Sequence, residues 1–262
     1  MLIVGELING MYKAVGKAVA RRDKKVIQKI AENQVAAGAG MLDVNTGPYE
    51  KDPRGAMEWL VETIQEVAEV PLVFDSTKSD VIETGLRLAK KKAMINSANS
   101  DEEKLDILVP MAKRYNASLI GLTMGKSGIP RDKNHRVEHA VKIVTKCQEI
   151  GFDVNGLYLD PIVLPINVAQ AQAPEVLESL REFKFLCDPA PKTIIGLSNV
   201  SQGAGQRPLI NRIFLAMALA SGLEAAIMDP LDKDLMDAAI TTELILNKNI
   251  YCDSFLDAHR KK

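Results

Sequence analysis

The sequence has 262 residues, of which 47% are hydrophobic, and its 33 lysines and arginines nearly balance its 34 aspartates and glutamates. This length suits one domain over residues 1–262, and the near-neutral charge gives no reason to expect nucleic acid or an anionic membrane as a partner. Three unclustered cysteines, together with the lack of a signal-peptide pattern or a long apolar span, lead us to expect a protein of the reducing cytoplasm.

Short apolar, β-branched runs recur along the chain, each followed by an amphipathic stretch. The predicted strands are residues 2–8, 41–45, 72–75, 93–96, 118–123, 157–160, 193–198 and 225–229. Helical periodicity is clearest at residues 56–69, 81–91, 102–115 and 137–150. Eight βα repeats with strands apolar on both faces predict a (β/α)8 TIM barrel. A doubly wound open sheet is the alternative, but the first strand ends in GELING rather than in GxGxxG.

Polar side chains stand at the carboxyl end of nearly every predicted strand. They are Glu6, Asn9, Asp43, Asn45, Asp75, Asn96, Thr123, Asp160, Ser198, Asn199 and Asp229. In a barrel these ends meet at one opening, where active sites are built. Helix capping and loop initiation explain any single Asp or Asn equally well. Capping and loop initiation do not explain the whole set. Its members directly follow apolar residues that line the barrel, where a polar side chain would be partly desolvated.

The chemistry of this set restricts the ligand. Carboxylates accept paired N–H donors, and carboxamides both donate and accept, so a heterocycle with a 2-amino-4-oxo-pyrimidine edge fits. A hard cation bound by Glu6, Asp75 and Asp160 is the competing interpretation. The neighbouring amides and hydroxyl favour a neutral ligand instead, and we predict no tightly bound metal. No histidine stands at a predicted strand end, which argues against many hydrolase and aldolase mechanisms.

Seven segments carry a resemblance that runs in order along essentially the whole chain. GELING, LDVNTGP, FDST, MINSAN, LYLDP, GLSNVSQ and GQRPLINRIF resemble the methyltetrahydrofolate:corrinoid protein methyltransferases. These are pterin-binding barrels, similar also to the folate domain of cobalamin-dependent methionine synthase. The resemblance implies tetrahydrofolate or 5-methyltetrahydrofolate as substrate, and a separate corrinoid or corrinoid iron–sulfur protein as partner. We also expect a homodimer formed through outer helices of the barrel.

The resemblance also implies roles for individual residues. Asp75, Asn96 and Asp160 would hold the pterin edge, and Asn199 would hydrogen-bond near N5. Because no strong acid lies at that position, Asn199 would strengthen its hydrogen bond as N5 becomes protonated in the transition state. The remaining substrate contacts would come from Glu6, Asn9 and Asp43 on the floor, Gly196 and Ser198 on the wall, and Gln202 and Arg207 at the aminobenzoyl-glutamate end.

One departure from the family pattern is Leu7, where members often carry arginine. Because side chains alternate along a strand, we expect Leu7 to point away from Glu6 and to leave the pocket intact. This departure leaves open which pathway and which corrinoid partner the enzyme serves.

Two other functions compete with methyl transfer. Dihydropteroate synthase shares a pterin-binding barrel, but it carries Asn-x-Thr-Pro-Asp-Ser-Phe after the first strand and Ser-Arg-Lys after the seventh. Here those places read Asn9-Gly-Met-Tyr and Ser198-Asn199-Val200. A non-catalytic folate-binding barrel is the second alternative. His135 and His139 have the spacing of a metal pair, but Arg136 replaces the glutamate of HExxH, so we expect a solvated helix face there.

Overall fold

The computed structural model describes residues 1–48 and 50–260. Of the domain predicted over residues 1–262, residues 49, 261 and 262 lie outside the described part. Within it, eight parallel strands form a closed barrel in the order β1 to β8, and β8 pairs with β1. The strands are β1 (Leu2–Asn9), β2 (Met41–Asn45), β3 (Leu72–Asp75), β4 (Met94–Asn99), β5 (Ser118–Leu122), β6 (Leu157–Asp160), β7 (Lys192–Gly196) and β8 (Ala225–Met228). The predicted (β/α)8 barrel is confirmed, and the open sheet is wrong.

Helices cover the outside of this barrel. They are α1 (Lys13–Arg21), α2 (Lys24–Ala36), α3 (Pro53–Gln65), α4 (Ser79–Leu88), α5 (Glu102–Arg114), α6 (Lys133–Ile150), α7 (Ile166–Ala169), α8 (Gln172–Glu182), α9 (Arg207–Ala220), α10 (Lys233–Ile245) and α11 (Phe255–Arg260). Within the described residues, no helix combines the length and the apolar character that crossing a bilayer requires.

Local sequence explains where several helices begin. The carboxylates of Asp52, Asp132 and Asp232 each accept the backbone N–H three residues ahead, at the starts of α3, α6 and α10. Such an N-cap satisfies an otherwise unpaired donor and stabilises a helix by about 1 kcal/mol. At the other end of α6, Gly151 adopts the left-handed conformation that closes a helix.

The inside of the barrel holds an apolar layer to which every strand contributes one buried residue, with Leu2, Leu122 and Ile227 packed against it. The layer consists of Val4, Met41, Val73, Met94, Ile120, Tyr158, Ile194 and Ala225. The opposite strand faces pack against the helices, as expected for strands buried on both sides. The layer therefore closes the barrel from below, and polar residues beyond it remain at the carboxyl end.

One strand boundary differs from the prediction in a way that matters for the site. β7 ends at Gly196, and residues Leu197–Ser201 form a 3-10 turn instead of continuing the strand. The predicted extension of this strand to Ser198 is therefore wrong. The turn removes Ser198 and Asn199 from the inside-outside alternation of a strand, so local turn geometry decides where these two side chains lie.

Candidate active site at the carboxyl end of the barrel

A cavity of about 540 Å³ opens at the carboxyl end of the barrel. The eleven residues to which the resemblance assigned substrate contacts line it together: Glu6, Asn9, Asp43, Asp75, Asn96, Asp160, Gly196, Ser198, Asn199, Gln202 and Arg207. They come from loops and strand ends far apart in sequence, and barrel closure brings them together. The other polar residues at predicted strand ends, Asn45, Thr123 and Asp229, do not line the cavity. The volume is in the range of small-molecule sites.

The buried carboxyl group of Asp43 and the half-buried carboxyl group of Asp75 form one side of the cavity, and each accepts an amide hydrogen bond. Asn96 Nδ2 donates to Asp43 Oδ1 at 3.1 Å, and Asn45 Nδ2 donates to Asp75 Oδ2 at 2.7 Å. Burial raises the pKa of Asp43 well above its usual range, and the charge of Asp75 raises it further. Burial also raises the pKa of Asp75, while its Asn45 contact opposes the shift. This side resists holding two negative charges and suits a ligand that brings N–H donors.

Asp160 forms a second acceptor at the end of β6. Its Oδ1 accepts the backbone N–H of Ile162 at 2.7 Å, and its carbonyl oxygen accepts both the N–H and the hydroxyl of Thr123 at 3.0 Å. Within the described residues, Asp160 Oδ2 accepts no hydrogen bond. Burial raises the pKa of Asp160 to about 7, against the opposing effects of the Ile162 N–H and of Arg136. The side chain is therefore fixed through one oxygen, with the other available to a ligand.

Glu6 and Ser198 connect β1 to the turn that follows β7. The Ser198 hydroxyl donates to Glu6 Oε1 at 2.7 Å. Burial raises the pKa of Glu6 to about 7; the hydrogen bond from Ser198 and the charge of Arg207 lower it, and the charge of Asp229 raises it. A carboxyl group with this pKa changes protonation near neutral pH, so the wall here carries a variable charge.

Asn199 is the exposed polar group of this wall. Its side chain makes no hydrogen bond within the part of the chain that the structure describes. A Cβ at Gly196 would lie 2.9 Å from Asn199 Nδ2, so glycine at 196 leaves the space that this carboxamide needs. The carboxamide is therefore free to donate to a ligand or to accept from it.

The rim of the cavity is formed by longer and more exposed side chains. Arg207 donates from Nε to Ser201 Oγ at 3.1 Å and from Nη2 to the carbonyl of Ser198 at 3.4 Å. The exposed Gln202 follows the turn, its backbone N–H bound to the carbonyl of Asn199 at 3.1 Å. At the end of β1, Asn9 Oδ1 accepts the N–H of Met11 at 2.9 Å.

The sequence interpretation chose polar residues and Gly196, so it missed the apolar side chains of the lining. Met11, Tyr12, Leu122, Met124, Ile162, Val163 and Ile227 share the cavity. Most of them lie within a few residues of a predicted polar position, which was the available signal. Leu7 does not line this cavity; it lies in a neighbouring one between β1, α1, α9 and α10. Within the described residues, no three His, Cys, Asp or Glu side chains are grouped as metal ligands would be.

The expected solvated face of α6 is only partly correct. His135 is exposed, and its side chain pairs with Asp132. Arg136, however, is completely buried. His139 is half-buried, with Nδ1 2.5 Å from the hydroxyl of Ser100. The buried face of this helix is otherwise apolar, formed by Ala140, Ile143, Val144 and Cys147, so periodicity alone did not indicate a buried arginine.

The fold and the cavity define a TIM-barrel protein that places carboxyl and carboxamide groups around a small hydrogen-bonding ligand. Residues 14–229 match the family described as pterin binding enzyme, and the chain belongs to this family.

Two kinds of relative extend this assignment. Methylcorrinoid:tetrahydrofolate methyltransferase of Eubacterium limosum is 29% identical over 266 aligned residues, which cover 100% of this chain and 97% of that protein. The methionine synthases of Mycobacterium tuberculosis (strain ATCC 25618 / H37Rv) and Mycobacterium leprae (strain TN) are each 26% identical over 241 residues, covering 87% of this chain and 20% of theirs. The family resemblance inferred from the sequence segments is confirmed.

Proposed function

We propose that the chain is a methyltransferase that moves a methyl group between N5 of 5-methyltetrahydrofolate and the cobalt of a separate corrinoid protein. The observation that carries the proposal is the full-length similarity to a methylcorrinoid:tetrahydrofolate methyltransferase in a chain whose predicted pterin ligands share one cavity. We also propose that residues 1–262 act as one domain in the cytoplasm.

The acceptor groups of the cavity are suited to the pterin edge. A carboxylate oxygen pair accepts two parallel N–H bonds, and the amino-pyrimidine part of a pterin presents such a pair. Asp75 and Asp160 supply the carboxyl groups, and Asn96 supplies a carboxamide between them. The apolar Met124, Ile162 and Val163 give the flat ring faces a surface to pack against. Binding in this orientation leaves the aminobenzoyl-glutamate tail to the rim at Gln202 and Arg207.

Asn199 is the residue that we assign to the reacting nitrogen. When methyl leaves N5, the N–C bond breaks, a Co–C bond forms to Co(I), and N5 takes a proton from solvent. Unprotonated, the departing nitrogen would be an amide-like anion and a poor leaving group. A carboxamide oxygen that accepts from the new N5–H binds the transition state more tightly than the ground state, which lowers the barrier. In the opposite direction, N5 loses this proton before it attacks the methyl group.

A second copy of this chain is the partner that we propose for the outer surface. Leu209, Ile213 and Met217 are 54%, 56% and 49% exposed on α9, at a spacing that places them on one helix face. They border an apolar groove of about 650 Å³ between α8 and α9. An apolar row beside an apolar groove suits a protein interface, and a twofold axis would pair it with itself. The barrel mouth then stays free for the corrinoid protein.

Stopped-flow spectroscopy tests the proposed reaction. Mixing the protein with free cob(I)alamin and 5-methyltetrahydrofolate should cause loss of cob(I)alamin absorbance that depends on both protein and folate. Binding of 5-methyltetrahydrofolate without any loss of absorbance would instead support the non-catalytic folate-binding barrel. Co-purification with a small corrinoid protein from the native cells would then identify the partner.

A further inference from the structure

Arg136 carries its charge inside the protein, where a charged side chain does not favour folding stability. It lies on α6, its side chain is completely buried, and it is among the largest fully buried side chains. Within the described residues, no carboxylate forms an ion pair with it, and its Nη1 has no hydrogen-bond partner. A buried cation with an unpaired nitrogen costs free energy of folding, which an apolar side chain of similar size would avoid.

The guanidinium contacts the backbone directly after Asp160. Arg136 Nε donates to the carbonyl oxygen of Pro161 at 2.7 Å. One residue earlier, the Asp160 carbonyl is fixed by Thr123, and one residue later the Ile162 N–H binds the Asp160 carboxylate at 2.7 Å. The backbone around Asp160 is therefore fixed by Thr123 directly after β5 and by Arg136 on α6. Of these contacts, the one from Arg136 links the segment to the outer helices.

The segment held in this way is strained. Ile162 has φ of 65°, the left-handed region that a β-branched residue seldom adopts. It lines the cavity beside Asp160 and Val163. Such a conformation persists only where neighbouring contacts impose it. The bond from Arg136 to the Pro161 carbonyl is placed to impose it.

The other side of the guanidinium extends the same link to two further loops. Arg136 Nη2 donates to Gln172 Oε1 at 2.9 Å, and Gln172 Nε2 donates to the carbonyl of Arg131 at 2.7 Å. Gln172 begins α8, and Arg131 lies in the loop before α6. One buried side chain therefore joins the loops that follow β5 and β6.

We infer that Arg136 is a positioning residue for substrate binding, which fixes the Asp160 carboxylate and the Ile162 turn in the geometry that receives the pterin edge. This inference rests on the proposed function. Electrostatics supports it: the charge of Arg136 lowers the pKa of Asp160 against the larger effect of burial. The charged groups that act on Arg136 are Glu175, Asp132 and Asp160 itself. Arg136 therefore favours the ionised carboxylate, the form that accepts two N–H bonds.

The test compares Arg136→Gln and Arg136→Lys with the wild-type protein, and Lys142→Gln removes a cation from the exposed face of the same helix as a control. Calorimetric titration with 5-methyltetrahydrofolate over a range of pH gives affinity and its acid midpoint. We expect Arg136→Gln to bind about tenfold more weakly at neutral pH and to lose affinity at a higher pH on acidification. The lysine of Arg136→Lys keeps the charge but cannot reach both the Pro161 carbonyl oxygen and Gln172 Oε1. This variant should therefore bind 5-methyltetrahydrofolate more weakly, with an acid midpoint near that of the wild type.

A folded Arg136→Gln variant that keeps the wild-type affinity and acid midpoint would overturn the inference. The same holds if its melting temperature falls while the affinity and the midpoint stay unchanged, because Arg136 would then only stabilise the fold. If this variant does not fold, Gln172→Leu removes one acceptor of the guanidinium and should weaken binding several-fold; wild-type affinity there would overturn it. Hydrogen exchange provides a readout without substrate. Exchange at the Ile162 amide should accelerate in Arg136→Gln, and unchanged exchange contradicts the inference. Failure of the wild-type protein to bind folate contradicts the proposed function instead.

Discussion

The hydroxyl of Ser198 donates a hydrogen bond to Glu6 Oε1 at 2.7 Å, although the two residues are 192 positions apart in the chain. The contact joins β1 to the turn after β7, across the point where β8 closes the barrel against β1. Both residues line the cavity. Glu6 is thus held in a largely buried place by a partner that only barrel closure supplies.

Glu6→Gln should change how stability depends on pH. Burial raises the folded pKa of Glu6 from 4.5 to about 7. The folded state therefore binds the proton more tightly than the unfolded chain does, and stability is lost as pH rises from 4.5 through 7. The loss is at most roughly 3 kcal/mol. Urea denaturation at several pH values should show a smaller decline for Glu6→Gln, and equal declines in both proteins would contradict the assignment.

Asn199→Ala should slow methyl transfer by roughly a hundredfold or more, the range for loss of one preorganised transition-state contact. Affinity for 5-methyltetrahydrofolate should fall much less, because the contact strengthens only as N5 is protonated. Stopped-flow rates and calorimetric affinities measure the two effects separately. Asn134→Ala, at an exposed position on α6, serves as the control. Near-wild-type turnover of Asn199→Ala would refute the role.

Asp75→Ala and Asp160→Ala should have the opposite pattern. Both carboxyl groups contact the part of the pterin that does not change during the reaction, so their loss weakens ground-state binding. We expect at least about a tenfold loss of affinity, as for a hydrogen bond to a charged group. Isothermal titration of folded variants gives the result, and exposed Asp80→Ala is the matched control. Unchanged affinity in either variant removes that residue from the pterin edge.

Gly47→Ala should destabilise the protein, because the loops after β1 and β2 approach closely. Gly47 has φ of 86°, and an added Cβ would lie 2.9 Å from the carbonyl carbon of Gly10. Both the strained conformation and the backbone contact oppose a side chain, at a cost of roughly 1–3 kcal/mol. Gly205→Ala is the control, since a Cβ there meets nothing within 4 Å. Equal urea midpoints for the two variants would argue against this packing.

Ile213→Lys should convert a dimer into a monomer. The substitution places a charge at the centre of the apolar row on α9, and burying that charge in an interface is costly. Light scattering after gel filtration should give a dimeric mass for the wild type and a monomeric mass for the variant. Val141→Lys changes an apolar residue of similar exposure on α6, 46% against 56% for Ile213, and should leave the dimer intact. A monomeric wild type, or a dimeric Ile213→Lys variant, would contradict the proposed interface.

The barrel was predictable because its determinants are local. Each strand is a short apolar run, each major helix has its own periodicity, and the repeat of eight units leaves few topologies. Asp43, Asp75 and Asp160 could also be chosen from the sequence, since each stands at or near the end of such a run. In parallel strands of a barrel, these positions must lie toward one opening.

The tertiary structure alone decided how these groups are held. Pairing of Asn45 with Asp75 and of Asn96 with Asp43 depends on strand register, and the Glu6–Ser198 contact depends on barrel closure. Arg136 shows the difference most clearly: beside two histidines on a charged helix, its sequence context indicates solvent, yet its side chain reaches the carbonyl of Pro161. Burial of a long charged side chain is determined by what the rest of the fold places over it, which no local pattern encodes.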